Sequence, residues 1–465
     1  MILPQNPEEC IKYKKMKTNR VRFIDLFAGL GGIRLGFEKS FQDAGFQTEC
    51  VMTSEIKPYA IQTLQHNFHH DYFVGDIFNV KNEHIPDFDF LLGGFPCQPF
   101  SSSGKRQGFS DTRGTLFFEI ERILEAKKPY GFILENVEGL MRHDLENDRD
   151  DVGRTLSTIV NNLQNNLGYK VSWKVLDSID YGLPQSRKRI FIVGTKDQKV
   201  SLNGHESIHT SLKDILETGL QTMDTDFTRK LLSHFDIKDL LGKSIKDKRG
   251  GDNNIHSWDI GIKGEVSDDQ TVLLSDLFKQ RRKKHWAGQI GIDWMDGMPL
   301  TLAQIETFCS LKNLESRLND LVEKGYLKFE HPKKLVKEIT ESGIKKYRVY
   351  DETKPKGYNI VSGKLSFEIN KILDPEDIAP TLVATDISRL AVPDGTGLRR
   401  LTIREGLRLF GYPEWYDISA KNYEAFDLLG NTVAVPVVEH VAIQLARSYS
   451  KYQSQEMSSK IPVCS

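Results

Sequence analysis

The chain has 465 residues, 39% of them hydrophobic and 27% charged, a balance that excludes a wholly disordered or fibrous protein. Its net charge is −1, with 63 Lys and Arg against 64 Asp and Glu, so a polyanionic partner has to be met by a local patch. The five cysteines (Cys10, Cys50, Cys97, Cys309 and Cys464) are scattered without a C-x-x-C pair, no run of 18 residues is apolar, and the first 20 lack a secretory layout. A disulfide framework, a structural zinc site and a membrane span are therefore not expected, and a reducing cytoplasm is.

In chain order, "VRFIDLF" predicts a strand that runs into a Gly-rich turn, and Ile33, Phe37, Phe41 and Ala44 recur at helical spacing after it. "TECVMTSE" predicts a second strand, with Cys50 as a small buried hydrophobe, and Ile56, Ala60, Ile61, Leu64 and Phe68 mark a second helix. "DYFVGDI", "FDFLLGG" and "YGFILEN" continue the strand series, with a helix over "TLFFEIERILEA" between the last two. "YKVSWKVLDS" and "RIFIVGT" predict two more strands joined by a long turn. Strands alternating with helices imply an α/β, mostly parallel, doubly wound sheet, with ligands beyond the C-terminal strand ends.

From about residue 200 the rhythm breaks, and charge clusters appear in "KDKRGGDNN" and "RRKKHW". Here Leu311, Leu314, Leu318, Leu321 and Val322 predict an apolar helix stripe, Gly325 a helix end and "YLKFE" a strand. Two readings of this piece stand: a small packed helix–strand unit, which is the favoured one, and a winged-helix-like nucleic-acid module.

Five short motifs fall at predicted strand ends. In "DLFAGLGG" (25–32), Gly29 and Gly31 permit close backbone approach before a helix N-terminus. Glu55, about 20 residues on, stands where a carboxylate commonly meets ribose hydroxyls. Asp76 ends the third strand and is suited to accept from an exocyclic amine. With no phosphate-loop lysine motif among them, the three describe a pocket for a nucleoside without a triphosphate. The fourth motif, "GGFPCQPFSSSGKR", holds Cys97 between Pro96 and Pro99; the fifth, "ILENVEGL", places Glu135 directly after a strand. Cys97 alone reads first as a structural buried thiol. Beside a carboxyl group it suits nucleophilic attack on an electron-poor ring. Arg187 and Arg189 in "QSRKRIF" alternate onto one strand face, a pair fit for an anionic or carbonyl-bearing substrate.

These motifs, in this order, resemble those of the DNA (cytosine-5) methyltransferases. "DLFAGLGG" resembles their cofactor turn, "GGFPCQPFS" their catalytic loop, and "ENV" (135–137) and "QSRKR" (185–189) their cytosine-contacting motifs. "RRLTIREGLRLFGYP" and "LLGNTVAVPVVEHVA" resemble their two C-terminal motifs, and "APTLVATD" is family-like within a variable middle. The resemblance implies a Rossmann-like S-adenosylmethionine-dependent fold with a smaller target-recognition domain. It implies a pocket for S-adenosylmethionine lined by Phe27, Gly29, Leu30, Gly31, Glu55, Ile56, Asp76, Ile77, Pro96, Asn431 and Val433. It implies Cys97 as nucleophile, Glu135 at cytosine N3, and Arg187 and Arg189 on the base and nearby phosphate. Expected contacts to DNA are Gln98, Ser101, Ser103, Lys105 and Arg113 in the catalytic loop, Lys283 and Lys284 in "RRKKHW", and Thr381 and Leu382 in "APTLVATD". The expected organisation is an extension over 1–20, a catalytic and cofactor-binding domain over 21–199, target recognition over 200–385, a return to the catalytic domain over 386–447 and a flexible tail from 448. Duplex DNA, a cognate restriction endonuclease, a monomeric state and a bacterial, nucleoid-associated location follow as expectations. A transfer-RNA methyltransferase of the same fold and a non-catalytic DNA-binding homologue are the alternatives. The large middle segment favours duplex DNA, and Cys97 together with Glu135 favours catalysis.

Overall fold

The computed structural model describes residues 19–70, 72–95, 115–145, 150–247, 253–340, 343–361, 367–384 and 387–459. β1 (Arg20–Leu26) alternates as a strand covered on both sides must: Val21 and Phe23 enter one apolar layer, Ile24 and Leu26 the other. After it come α1 (Gly32–Asp43), β2 (Gln47–Ser54), α2 (Pro58–Asn67), β3 (Phe73–Val74), β4 (Phe90–Gly94), α3 (Thr115–Lys127), β5 (Gly131–Val137), α4 (Arg154–Asn161), β6 (Lys170–Asp177) and β7 (Lys188–Thr195). The seven strands form one sheet in the order β3-β2-β1-β4-β5-β7-β6. All neighbours are parallel except β7, which runs antiparallel to both β5 and β6. The strand order reverses between β1 and β4, which opens a crevice at their C-terminal ends.

The chain divides into two compact units, Met1–Leu216 with Glu376–Ser388 and Thr402–Ser465, and Glu217–Pro375 with Arg389–Leu401. The second thus begins after residue 200 and reclaims a piece beyond residue 385. Its elements are α5 (Asp226–His234), β8 (Ser244–Ile245), β9 (Asn254–Ile255), α6 (Asp268–Gln280), α7 (His285–Ile290), α8 (Leu302–Glu306), α9 (Leu314–Glu323), β10 (Leu327–Glu330), β11 (Lys333–Thr340), β12 (Gly343–Tyr350), β13 (Gly357–Ile360), β14 (Lys371–Ile372), β15 (Leu390–Asp394) and β16 (Gly397–Arg400). Residues 389–401 belong here because β15 pairs with β14, inside a sheet of order β16-β15-β14-β8-β9. Ser267 with Gln270 and Thr301 with Gln304 close capping boxes at the starts of α6 and α8. α9 starts at Leu314, later than the stripe from Leu311 suggests, because Asn313 takes a left-handed φ of 55°.

The first unit is completed by α10 (Ile403–Leu409), α11 (Asn422–Asn431) and α12 (Val435–Ser459). α12 lies on α1 so closely that a Cβ on Gly36 would stand 2.7 Å from Val438 Cβ. Val438, Val441 and Leu445 fill the layer begun by Phe37 and Phe41, and the Tyr449 ring packs edge-on against Phe90 at 5.2 Å. The tail expected from residue 448 is therefore ordered through Ser459, since Ser448 and Tyr449 continue the buried face of the helix. Cys50 is buried and free, and burial pushes its thiol up to about 12. Among the described residues no single helix is long and apolar enough to cross a membrane.

Candidate active site

The Gly-rich turn after β1 holds three consecutive odd-numbered residues in the left-handed region: Phe27 at φ 56°, Gly29 at 56° and Gly31 at 67°. Gly31 is required twice over, because a Cβ there would stand 2.6 Å from a Phe68 ring carbon. Gly32 opens α1 under Tyr412 and Val433, where a Cβ would come within 2.7 Å of the Tyr412 hydroxyl and 2.8 Å of Val433 Cγ2. Glu55 ties this turn to the end of β2. Its Oε2 accepts from Gly29 N at 2.8 Å, and its Oε1 accepts from Ile56 N at 2.8 Å and Lys57 N at 2.9 Å. At the end of β3, Asp76 Oδ1 accepts from Phe78 N at 3.1 Å.

Two large apolar side chains beside these carboxylates stay open to solvent, Ile56 at 67% and Phe78 at 46%. Ile56 is thus not on the buried face of α2, as its spacing with Ala60 and Leu64 suggests; it precedes the helix, whose first residue is Pro58. Ile77 and Leu30, expected in the pocket, put their side chains into the core instead. Phe78, one residue beyond Ile77, is the exposed apolar group that the sequence reading missed. A capping Asp that opens a single helical turn was the signal, since successive side chains in a 3-10 turn point about 120° apart, which buries Ile77 and leaves Phe78 exposed. Asn431 closes α11 with its Nδ2 donating to Asp427 O at 2.8 Å, and Asp427 is held in turn by Lys57 Nζ at 2.8 Å and Tyr59 Oη at 2.6 Å. Carboxylates flanked by exposed apolar side chains, beside a turn too tight for side chains, fit an adenosyl group: polar atoms for its edges, apolar faces for its ring.

The other end of the crevice is built on β4 and β5. Glu135 lies opposite Gly94 in the β4–β5 register. It is buried, and its Oε1 stands 3.1 Å from Arg189 Nε. Burial pushes its carboxyl up; Arg189, and after it Arg187, pull the other way without cancelling that effect. Asn136 Nδ2 donates to Phe95 O at 2.9 Å, fixing the exit of β4 where the chain passes into Pro96 and Cys97. Pro96, Cys97, Gln98, Ser101, Ser103, Lys105 and Arg113 lie outside the described residues.

The two arginines do different work. Arg189 meets Glu135, whereas Arg187 is 2% exposed and committed to backbone. Arg187 Nη1 donates to Leu382 O at 2.8 Å and its Nη2 to Gly430 O at 3.0 Å. Its guanidinium lies 5.1 Å from the centre of the Phe410 ring, and burial lowers it to about 9. Gln185 repeats the pattern, donating to Leu409 O at 3.0 Å and accepting from Leu382 N at 3.2 Å. Thr381 Oγ1 donates to Ser186 O at 2.7 Å, and the Leu382 side chain is buried. Residues 185–187 thus stitch 381–382, α10 and α11 to the sheet, and Leu382 is not a side chain offered to DNA. In "RRKKHW", Arg281 and Trp286 are buried, with Arg281 Nη1 donating to Asn359 Oδ1 at 2.6 Å. Lys283 and Lys284 are exposed, and the Lys284 ammonium lies 5.4 Å from the Trp294 ring centre.

A family model described as "C-5 cytosine-specific DNA methylase" matches residues 21–447. The chain is 55% identical over 426 residues to Type II methyltransferase M.NlaIV of Neisseria lactamica, covering 92% of this chain and 99% of that one. It is 54% identical over 426 residues to Type II methyltransferase M.NgoBV of Neisseria gonorrhoeae, with the same 92% and 99% coverage. It is 40% identical over 455 residues to Type II methyltransferase M.HgiCI of Herpetosiphon aurantiacus, covering 92% and 98%. The match takes in the Gly-rich turn, Glu55, Asp76 and Glu135, and the C-terminal return, so the chain belongs to the C-5 cytosine-specific DNA methylases and is a methyltransferase that uses S-adenosylmethionine.

Proposed function

We propose that the chain methylates C5 of a cytosine flipped out of one particular duplex DNA sequence, through a covalent bond from Cys97 to C6. The observation that carries this reading is Glu135, a buried carboxyl group with a raised pKa beside the strand exit that leads into Pro96 and Cys97. Cytosine C5 is a poor nucleophile. Addition of the Cys97 thiolate to C6 makes C5 an enamine carbon, and Glu135, protonated, donates to N3 as electron density arrives there. S-adenosylmethionine, when bound, supplies an electrophilic methyl group for that carbon. Loss of the C5 proton then expels the thiolate and restores the ring. The base has to leave the helix for any of this, at a cost of a few kcal/mol, least at an already weakened pair.

In the cofactor pocket, three of the roughly four acceptor positions on the Glu55 carboxylate are taken by backbone N–H groups. One remains for a ribose hydroxyl, with Asp76 toward the exocyclic amine and Phe27, Ile56 and Phe78 around the ring. Arg189 steadies Glu135, and Arg187 is a positioning residue. Residues 217–375 with 389–401 serve as the target-recognition unit. The relatives' names support a modification role beside a cognate endonuclease, and plasmid carried in expressing cells would then resist cleavage by that enzyme.

DNA with 5-fluorocytosine at the target tests the chemistry, because fluorine cannot leave C5 as a proton does. A denaturant-stable adduct is expected only with S-adenosylmethionine present, and none with Cys97→Ser, whose hydroxyl stays protonated near neutral pH. An adduct that survives Cys97→Ser, or maps to Cys50 or Cys309, would overturn the assignment.

A further inference from the structure

Within the second unit, the elements from α6 to β13 follow one path: helix, the short helix α7, strand, helix, turn, helix, strand, hairpin, strand. The first strand is short. Leu300 N donates to Tyr358 O at 3.0 Å and Tyr358 N donates to Leu300 O at 2.8 Å, so residue 300 pairs antiparallel with β13. The approach is so close that a Cβ on Gly357 would stand 2.5 Å from Leu300 backbone. β13 pairs on its other side with β10, giving three short antiparallel strands in the order 300, β13, β10. Leu273, Leu277, Ile305, Leu318 and Leu321 from α6, α8 and α9 share one core with Leu327 and Ile360 of these strands. β11 and β12 leave this sheet as a separate two-stranded hairpin between β10 and β13. Apart from the short α7, that is the order of a helix-turn-helix unit closed by a small sheet, with a hairpin set between the two strands that follow its second helix.

The charge on the hairpin is placed for a polyanion. Lys337 lies directly across from Lys346, and Arg348 across from Leu335 on the same face. Like charges at directly opposed positions destabilise a strand pair unless something neutralises them. Lys337, Lys346 and Arg348 are exposed, and among the described residues none has an ion-pair partner. Leu335 and Tyr350 on that face are exposed too, with the Lys333 ammonium 4.9 Å from the Tyr350 ring centre. On α9 the exposed side chains are Glu315, Ser316, Asn319 and Glu323. Asn319 is held by Tyr358 Oη, which donates to its Oδ1 at 2.9 Å. Amide, hydroxyl and carboxylate groups are those that read base edges in a major groove.

We propose that α6, α8, α9 and β10–β13 form a winged-helix module in which α9 faces the major groove of the target duplex and the β11–β12 hairpin grips its phosphate backbone. The inference rests on the reading of the second unit as the recognition unit and assigns the surface that does it.

The test uses the full-length enzyme, a target duplex, and duplexes with one changed base pair. Replacing Lys337, Lys346 and Arg348 by Gln should weaken binding to all of these alike, roughly 10- to 100-fold at 0.15 M salt. It should also lower the slope of log affinity against log salt by about 2–3, near 0.9 for each lost phosphate contact. Turnover at saturating DNA should not change, and the melting temperature should not fall, because the Lys337–Lys346 repulsion is removed. Ser316→Ala with Asn319→Ala should leave the salt slope alone and reduce discrimination between target and changed sites roughly 5- to 100-fold. Unchanged affinity and salt slope in the hairpin variant, or unchanged discrimination in the helix variant, would overturn the proposal. Exchanging the whole second unit with a relative's separates the two readings. If sequence preference moves with the unit while the point variants are neutral, only the winged-helix assignment fails; if preference stays behind, the recognition-unit reading itself fails.

Discussion

Glu135 has two opposed neighbours, the apolar surroundings that favour its neutral form and the Arg189 guanidinium that favours its charged one. Burial wins in direction, which favours the protonated form that the proposed reaction requires at cytosine N3. Glu135→Gln keeps a donor but cannot follow the charge on N3, so turnover should fall by about 10²–10⁴-fold with DNA and cofactor affinities little changed. Single-turnover rates of the wild type should decline as pH rises and Glu135 ionises, and the residual rate of Glu135→Gln should lack that limb. Asp25 meets the same opposition, with Arg34 as the guanidinium that favours its charged form. Asp25, buried under the Gly-rich turn, is pushed up to about 7 from 3.8, chiefly by burial. Between about pH 4 and 7 the unfolded chain has released this proton and the folded one has not, so its contribution to stability falls as pH rises. Asp25→Asn should therefore melt higher than wild type at pH 8 and converge with it near pH 4, a difference bounded at roughly 4 kcal/mol. The positions of Glu55 and Glu135 near the C-terminal ends of β2 and β5 were legible from sequence, because the apolar run before each marks its strand. The duty of Arg187 was not legible, since its partners at Leu382 and Gly430 are 195 and 243 residues away and are carbonyls, which every residue has.

At the scale of elements, the strand series and the helix over 115–127 were written in apolar periodicity. The antiparallel insertion of β7 followed from the order of strands rather than from any one of them. What periodicity leaves out is where elements touch. Gly36 in mid-α1 looks like a weak point, and Ala there should help by about 1 kcal/mol on helix propensity alone. Contact with α12 reverses the sign. A Cβ would stand 2.7 Å from Val438 Cβ and 3.0 Å from Glu439 N, so Gly36→Ala is expected to destabilise by about 1–3 kcal/mol. Gly430→Ala is the harsher case, because the new Cβ would meet Ala384 N at 2.2 Å, backbone that cannot swing aside. Its melting temperature should drop further than that of Gly36→Ala, and cofactor affinity should drop with it, since Asn431 is the next residue. Thermal denaturation with and without S-adenosylmethionine checks both.

Across the whole molecule, the second unit enters after Leu216 and is left twice, at Pro375 and again at Leu401. A segment exchanged over 200–385 would part β14 from β15 and bring in a foreign copy of 381–382, the residues held by Gln185 and Arg187. Such a hybrid should express poorly, whereas one that exchanges 217–375 and 389–401 and keeps 376–388 should fold and methylate. Yields of soluble protein and single-turnover rates on DNA decide it.

The placement of α12 against α1 has a consequence in time. Phe37, Phe41 and Phe90 are laid down early in synthesis, yet the side chains that cover them, Val438 to Tyr449, come from the last tenth or so of the chain. At about 5–20 residues per second, some 20–80 seconds of translation separate these two halves of one core. Through that interval the nascent sheet carries an uncovered aromatic face and a Gly-rich turn without Tyr412 and Val433 against it. An enzyme assembled this way cannot act on DNA before α12 has been made and has packed. Ribosome-tethered chains arrested before Val435 should bind chaperone and fail to bind S-adenosylmethionine, and those arrested far enough beyond Tyr449 to clear the exit tunnel should do the reverse.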